Sequence, residues 1–296
     1  MGLNAVDHLI VVPFYPPFNS KTAFLSHTLA PGGQSATAMV TLARLGMRAR
    51  YIGKVGADDM GRFQINSIAS EGVESSHVIM VEGAESQIAF IIIDEASGER
   101  TILWHRDERL TISEGEVDRA IVTAGRVLHL DGHDVAASIA AAGYARAAGV
   151  ATVLDIDQVY PGVEELLPLI DFLISSSSFP ERITGEADLS RALKKLAERT
   201  GSMFVAATMG AEGALAYFQG QYIHSPAFKI DCHDTTGAGD AFHGGFIYGL
   251  LAGFSVEQTL EFANAVAALK CRAVGARTSL PTLNEVNSLL AEKDEQ

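Results

Sequence analysis

Cysteine is almost absent from this chain of 296 residues. The two present, Cys232 and Cys271, are too far apart in sequence for a CxxC metal or redox spacing. The expectation is a reduced, cytoplasmic protein with two free thiols and no disulfide framework. An apolar run of roughly 18 residues is also missing, so no helical membrane span is expected. No basic segment leads into an apolar core at the start, so no secretory leader is read there. Positive charge is scarce: 22 Lys and Arg against 36 Asp and Glu leave a net charge of −14. That balance argues against a nucleic-acid or anionic-membrane partner. It leaves an anionic nucleotide open, because a helix terminus creates local positive potential without net charge. Repeats, low-complexity runs and an interdomain linker are lacking too, and the length suits one large α/β domain or two smaller ones.

What is present is an alternation of apolar runs and helical patterns. Residues 9–12 read as the end of a first strand, with breakers at Pro13, Pro16 and Pro17. Residues 21–25 read as a short strand before Pro31-Gly32-Gly33, and small apolar residues over 35–45 read as a closely packed helix. A strand over 51–56 is followed by a helix capped by Asp58 or Asp59, with Met60, Phe63 and Ile68 facing inward and a stop at Gly72. Residues 87–93 and 100–105 form a hairpin pattern around 94–99. Strands at 127–130, 152–156, 172–175 and 204–208, with helices over 134–148 and 188–199 between them, imply a mainly parallel sheet buried on both faces. A further hairpin spans 213–224. Ser255 with Gln258 and Thr282 with Glu285 are capping-box starts for two late helices.

The chemistry gathers in Asp234-Thr235-Thr236-Gly237-Ala238-Gly239-Asp240. Gly237, Ala238 and Gly239 are small enough for backbone amides to converge on an anion, and Phe242, Phe246 and Leu250 follow at helical spacing. The loop therefore opens a helix, where unpaired amides favour negative charge. Asp240, in the first turn, can take a proton from an attacking hydroxyl; read plainly, it only caps the helix.

This stretch, followed by Ala241-Phe242-His243-Gly244-Gly245, resembles the C-terminal signature of the ribokinase-like (PfkB) sugar kinases. A second signature runs from Gly32-Gly33 to Ala43-Arg44-Leu45-Gly46. Two such motifs in this order, about 200 residues apart, are more specific than either alone. The resemblance implies an α/β three-layer sandwich with a mainly parallel central sheet and a small β-sheet lid. It implies one kinase domain over 1–296, with lid strands inserted at about 8–30 and 87–106. It also implies strand residues ahead of Gly2, so either the chain starts late or the first strand is short. The implied activity is transfer of the γ-phosphate of ATP to a primary hydroxyl of a ketose or related sugar. Asp240 is then general base, and the amides of Gly237, Ala238 and Gly239 are the anion hole.

By the same resemblance Asp7, Gly32, Gly33, Gln34 and Thr37 stand at sugar-pocket positions. Asp7 otherwise reads as a strand-end turn residue. Thr208, Gly210 and Gly213 match a nucleotide loop that can equally be a hairpin entry, and Asn264 matches the position beside adenine. Asp234 and Thr236 with Ser279 resemble a monovalent-cation (K+) loop. A homodimer through the lid sheet is implied as well. Two departures stand out. Ser176 and Phe179 occupy places where relatives carry Asn and Glu near magnesium, so Mg2+ is expected to sit on ATP oxygens and water. Thr37 replaces an asparagine that bonds sugar hydroxyls.

Lys21 suggests an anionic substrate, as do stretches resembling sulfofructose kinases (36–38, 226–229, 266–271). Arg100-Thr101-Ile102-Leu103 echoes ketohexokinases. Arg100, Arg106 and Arg109 are candidates for added positive charge near the substrate, Arg100 being taken as substrate-binding; read plainly, they are surface residues. The alternatives are a kinase for an anionic sugar, a nucleoside kinase with an aromatic wall from Phe14, Tyr15, Phe24, Phe90 or Trp104, and a binding protein without turnover. His129, Asp131 and His133 invite a metal reading; with no further ligand cluster nearby, they and Asp155 read as pocket-lining or satisfied strand-end groups.

Overall fold

The computed structural model describes residues 1–97 and 100–294. β1 (Ala5–Val12) and β2 (Ser26–Gly32) lead into α1 (Gln34–Arg44), then β3 (Gly53–Gly56), α2 (Asp59–Ala69) and β4 (Val78–Val81). β5 (Ile88–Asp94) and β6 (Arg100–His105) pair as the expected antiparallel hairpin; Gly98 and Glu99 at its tip lie outside the described residues. After α3 (Arg119–Val122) comes the alternating core: β7 (Val127–Leu130), α4 (Val135–Ala147), β8 (Ala151–Ile156), α5 (Val163–Leu166), β9 (Phe172–Ser176), α6 (Phe179–Thr184), α7 (Leu189–Thr200) and β10 (Phe204–Thr208). The hairpin β11 (Ala214–Phe218) and β12 (Gln221–Ser225) follows, then α8 (Ala238–Ala252), α9 (Val256–Lys270) and α10 (Leu283–Asp294).

Among the described residues the main sheet has the order β12-β11-β10-β9-β8-β7. β7 to β10 are parallel, and β11 and β12 add an antiparallel edge. Successive strand residues point to opposite faces, so Val153 and Leu154 serve different cores. Val153, Ile174, Phe204 and Ala206 pack with α1, α8 and α9 through Phe242, Phe246 and Phe262. Leu154, Leu173 and Val205 pack with α4 and α7 through Ala141, Leu193 and Leu196. Helices on both faces make three layers, and the parallel strands end near the head of α8. Among the described residues, no helix is long and apolar enough to cross a membrane.

The lid has the order β2-β1-β5-β6. Two expectations change here. Residues 21–25 form no strand; the lid strand is β2, which pairs with β1 so that Asp7 faces Ala30. Its register depends on β1, a long-range partner that local composition does not reveal. In α2, Asp58 caps the helix by accepting from the Gly61 amide, as expected, but Phe63 faces solvent. Gln64 takes the inward place and donates to the Gln87 carbonyl at 2.9 Å.

Candidate active site

The head of α8 is built around Gly237, whose φ of 77° lies in the left-handed region and where an added Cβ would stand 2.8 Å from the Cβ of Ala276. Glycine alone satisfies both demands. The preceding loop is braced by Asp234. Its Oδ1 accepts from the amide and hydroxyl of Thr236 at 2.8 and 2.7 Å, and its Oδ2 from the Gly275 amide at 2.8 Å. These donors hold the Asp234 carboxyl below its ordinary pKa despite burial. The Ala238 amide donates to Thr235 O at 3.1 Å, so it is not among the free donors. The amides of Gly237, Gly239 and Asp240 have no partner among the described residues. Three unsatisfied N–H groups at a helix N-terminus form an anion-binding concavity.

Asp240 sits half-buried beside them, and its carboxylate makes no hydrogen bond among the described residues. Burial, the largest cause, pushes it up to about 7; Asp155 and Asp7 add to the rise, while His243 and Arg277 oppose it. One turn on, His243 Nδ1 donates to Gly239 O at 2.8 Å and lies 3.5 Å from Asp155 Oδ2. Burial lowers the His243 pKa and raises that of Asp155 well above the carboxylate range. Burial thus disfavours the charged form of both partners.

The sugar-side residues meet at the ends of β1 and β2. Asp7 is buried, without a hydrogen-bond partner among the described residues, and pushed up to about 6 by burial, with Arg277 opposing and Asp234 adding. Gly32 lies directly against it: an added Cβ would stand 2.1 Å from Asp7 Oδ2. Gly33 caps α1. Gln34 Oε1 accepts from His133 Nε2 at 2.9 Å, and that ring also contacts Tyr160 and the edge of Trp104. Thr37 is fully buried, and its hydroxyl accepts from Arg277 Nε at 3.1 Å. Its hydroxyl therefore helps to hold Arg277. Arg277, buried with its pKa drawn down to about 10, also donates to Gly32 O, Asn4 Oδ1 and Ser67 Oγ. Sequence reasoning passed over it, because its partners lie more than two hundred residues away.

Four basic residues bear on the anionic-substrate reading. Lys21 is exposed in an irregular segment with no ion pair among the described residues. Arg106 is locked bidentately on Asp134 at 2.7 and 2.8 Å, and Arg109 on Asp107. Arg100 reaches from β6 to donate to the Thr235 hydroxyl in the loop entering α8. Asp131 is a satisfied strand-end carboxylate, accepting from Leu3 N and Ser35 Oγ, and His129 is buried, its pKa lowered chiefly by that burial. Among the described residues, no cluster of three His, Cys, Asp or Glu forms a metal site.

On the nucleotide side, Thr208 ends β10, and Gly210 and Gly213 flank one helical turn. Gly213 is fixed by packing, since an added Cβ would stand 2.1 Å from Ser225 O. Asn264 is buried, and its amide donates to Ser225 O and Oγ at 2.9 Å. Ser225 thus joins Gly213 to Asn264. Phe179 is buried in the core and Ser176 is half-buried beside Asp157 O, so neither supplies a metal carboxylate. At the expected cation loop, Lys270 Nζ donates to Asp234 O at 2.8 Å, and the Ser279 hydroxyl donates to Lys270 O. The atoms expected to hold a monovalent cation are already engaged.

A profile for "pfkB family carbohydrate kinase" matches residues 9–283. The chain belongs to this family. As a pfkB family carbohydrate kinase, it is a phosphotransferase with an alcohol group as acceptor. It is 30% identical to a ribokinase from Haemophilus influenzae over 98% of this chain and 97% of that one. It is 32% identical to an ATP-dependent ribose-1-phosphate kinase from Halopiger xanaduensis over 97% and 95%. Its fold is ribokinase-like: a candidate ribokinase from Agrobacterium tumefaciens superposes with a TM-score of 0.93 at 26% identity, covering 100% of this chain and 97% of that one. A fructokinase from Xylella fastidiosa with bound ATP gives 0.83 at 26%, covering 99% and 97%. In this pfkB family kinase a cleft of about 770 Å³ is lined by Met1, Met39, Met47, His129 and Ile247, and by neither the anion loop, Asp7 nor the Thr208 loop. Unpaired polar groups, not cleft size, mark the chemistry.

Because Asp240 holds its proton above the ordinary 3.8, the folded protein binds more protons than the unfolded chain up to about 7. Its contribution to stability is therefore present at low pH and lost as pH rises through about 7. Asp240→Asn should melt above the wild type at about pH 8 and alongside it at about pH 4, as thermal melting across that range will show.

Proposed function

We propose that this kinase transfers the γ-phosphoryl group of ATP to a primary hydroxyl of a neutral ketose or related sugar. The observation that carries this reading is Asp240, an unpaired carboxyl with a pKa of about 7 beside three free amides and within the field of Asp7 and Arg277. A base with a pKa near the working pH takes the hydroxyl proton efficiently. The amides of Gly237, Gly239 and Asp240 grip the moving phosphoryl group, where catalysis is mostly positioning and charge stabilisation. Asp7, buried and unpaired, accepts sugar hydroxyls, and Gly32 lets the ring approach. Thr208, Gly210, Gly213 and Asn264 shape the nucleotide side. Magnesium, bound with the nucleotide, supplies charge neutralisation, its ligands being phosphate oxygens and water.

Charge favours an uncharged sugar. Asp7 and Asp240 lie at the site, while Arg106 and Arg109 are tied to carboxylates and Lys21 is exposed without an ion pair among the described residues. A nucleoside is less well served, because Phe14, Tyr15 and Phe24 are exposed and Phe90 stacks on His8 at the outer lid face. The relatives named for ribose, ribose 1-phosphate and fructose define the panel to test. ADP release is expected with ribose or fructose, and Asp240→Asn should lower kcat by about 10²- to 10⁴-fold while ATP binding persists in calorimetry. Sugar binding without ADP release from the wild type would instead support a binding protein.

A second copy of the chain is the proposed occupant of the outer lid face. There Leu29, Phe90 and Leu103 share one side of the sheet and are exposed by 44%, 40% and 56%. Light scattering should report a dimer for the wild type and a monomer for Leu103→Asp; a monomeric wild type contradicts the assembly.

A further inference from the structure

Lys270 ends α9, and its side chain has no solvent exposure. A buried ammonium is strongly unfavourable unless it is paired and hydrogen-bonded. Here Nζ donates to the main-chain oxygen of Asp234 at 2.8 Å and lies 4.0 Å from its Oδ2. Burial draws the amine's pKa down, and the Asp234 carboxylate opposes that fall. The same carboxylate holds Thr236 and Gly275, while the Ser279 hydroxyl donates to the carbonyl of Lys270 itself. One ammonium and one carboxylate thus tie together the loop entering α8, the end of α9 and the loop carrying Gly275 and Ser279.

These are the atoms in which a free monovalent cation was expected. Asp234 O already faces a cation, and the Ser279 hydroxyl points its proton at Lys270 O. We propose that the Lys270 ammonium is a tethered cation standing in place of K+, and that it positions the anion-binding head of α8 without a monovalent-cation requirement. A tethered charge loses no translational freedom when it occupies the site, so the loop is organised at any salt composition. Lys270 is a positioning residue, acting through Asp234 and Gly237, and its catalytic consequence rests on the kinase reading above.

The test compares wild type with Lys270→Met in potassium, sodium and tetramethylammonium chlorides at equal ionic strength, following melting temperature and ADP release. For the wild type, melting should be the same in all three salts and turnover should agree within about twofold. Lys270→Met should melt lower, with K+ restoring melting temperature and lowering the KM for ATP more than tetramethylammonium does. A K+-dependent rise in wild-type melting, or several-fold activation of the wild type by K+, overturns the proposal. So does a folded Lys270→Met that K+ leaves unchanged, since a merely structural ion pair gives that result. Should Lys270→Met not fold, Lys270→Gln takes its place, and the wild-type salt comparison decides on its own. Melting needs no turnover, so failure of the kinase reading on the sugar panel is distinguishable from failure here.

Discussion

The head of α8 leaves three main-chain N–H groups without partners, and much of the surrounding structure supports that deficit. Unpaired amides are costly in a protein interior, so they persist only where the backbone is held from several sides. Asp234 holds the loop from below through Thr236 and Gly275, and Gly237 turns the chain in the left-handed region. Phe242 and Phe246, both buried, anchor the rest of α8 between the sheet and α9. The deficit is thereby aimed at whatever anion enters.

Electrostatics gives the same site its acid–base character. Burial is the main cause that raises the pKa values of Asp7, Asp155 and Asp240, and Asp155 and Asp7 add to the rise at Asp240. Arg277 is the counter-charge, fixed by Asn4, Gly32 and Thr37 so that it links the sugar-side strands to the late loop. Beneath the helix, burial lowers the His243 pKa and raises that of Asp155. Folding stability is lost as these carboxyls ionise, which is a usual cost of holding a functional group in an unfavourable environment.

Much of this was legible in the residues. The strands over 127–130 and 204–208 were read to the residue, because continuous apolar runs bounded by turns have few alternatives. The Ser255–Gln258 capping box formed as its local pattern requires. The lid strand was misplaced because Ser26, His27 and Thr28 look like loop residues until β1 supplies their hydrogen bonds. Phe63 and Gln64 exchanged roles because Gln87, far along the chain, offers the amide a buried carbonyl. Arg277 and Lys270 were passed over for the same reason. Burying a charge needs partners that only tertiary structure brings together, and a lysine after Val266 and Leu269 carries no local sign of its carbonyl partner.

The central claim is that the free amides of α8 and the Asp240 carboxyl act on one phosphoryl group and one hydroxyl. A crystal structure with sugar, MgADP and aluminium fluoride tests this most directly. The account predicts the fluoride group against the amides of Gly237, Gly239 and Asp240, with a sugar hydroxyl in hydrogen-bond reach of the Asp240 carboxyl. A fluoride group bound away from α8, or a sugar whose hydroxyls all avoid Asp240, would contradict it.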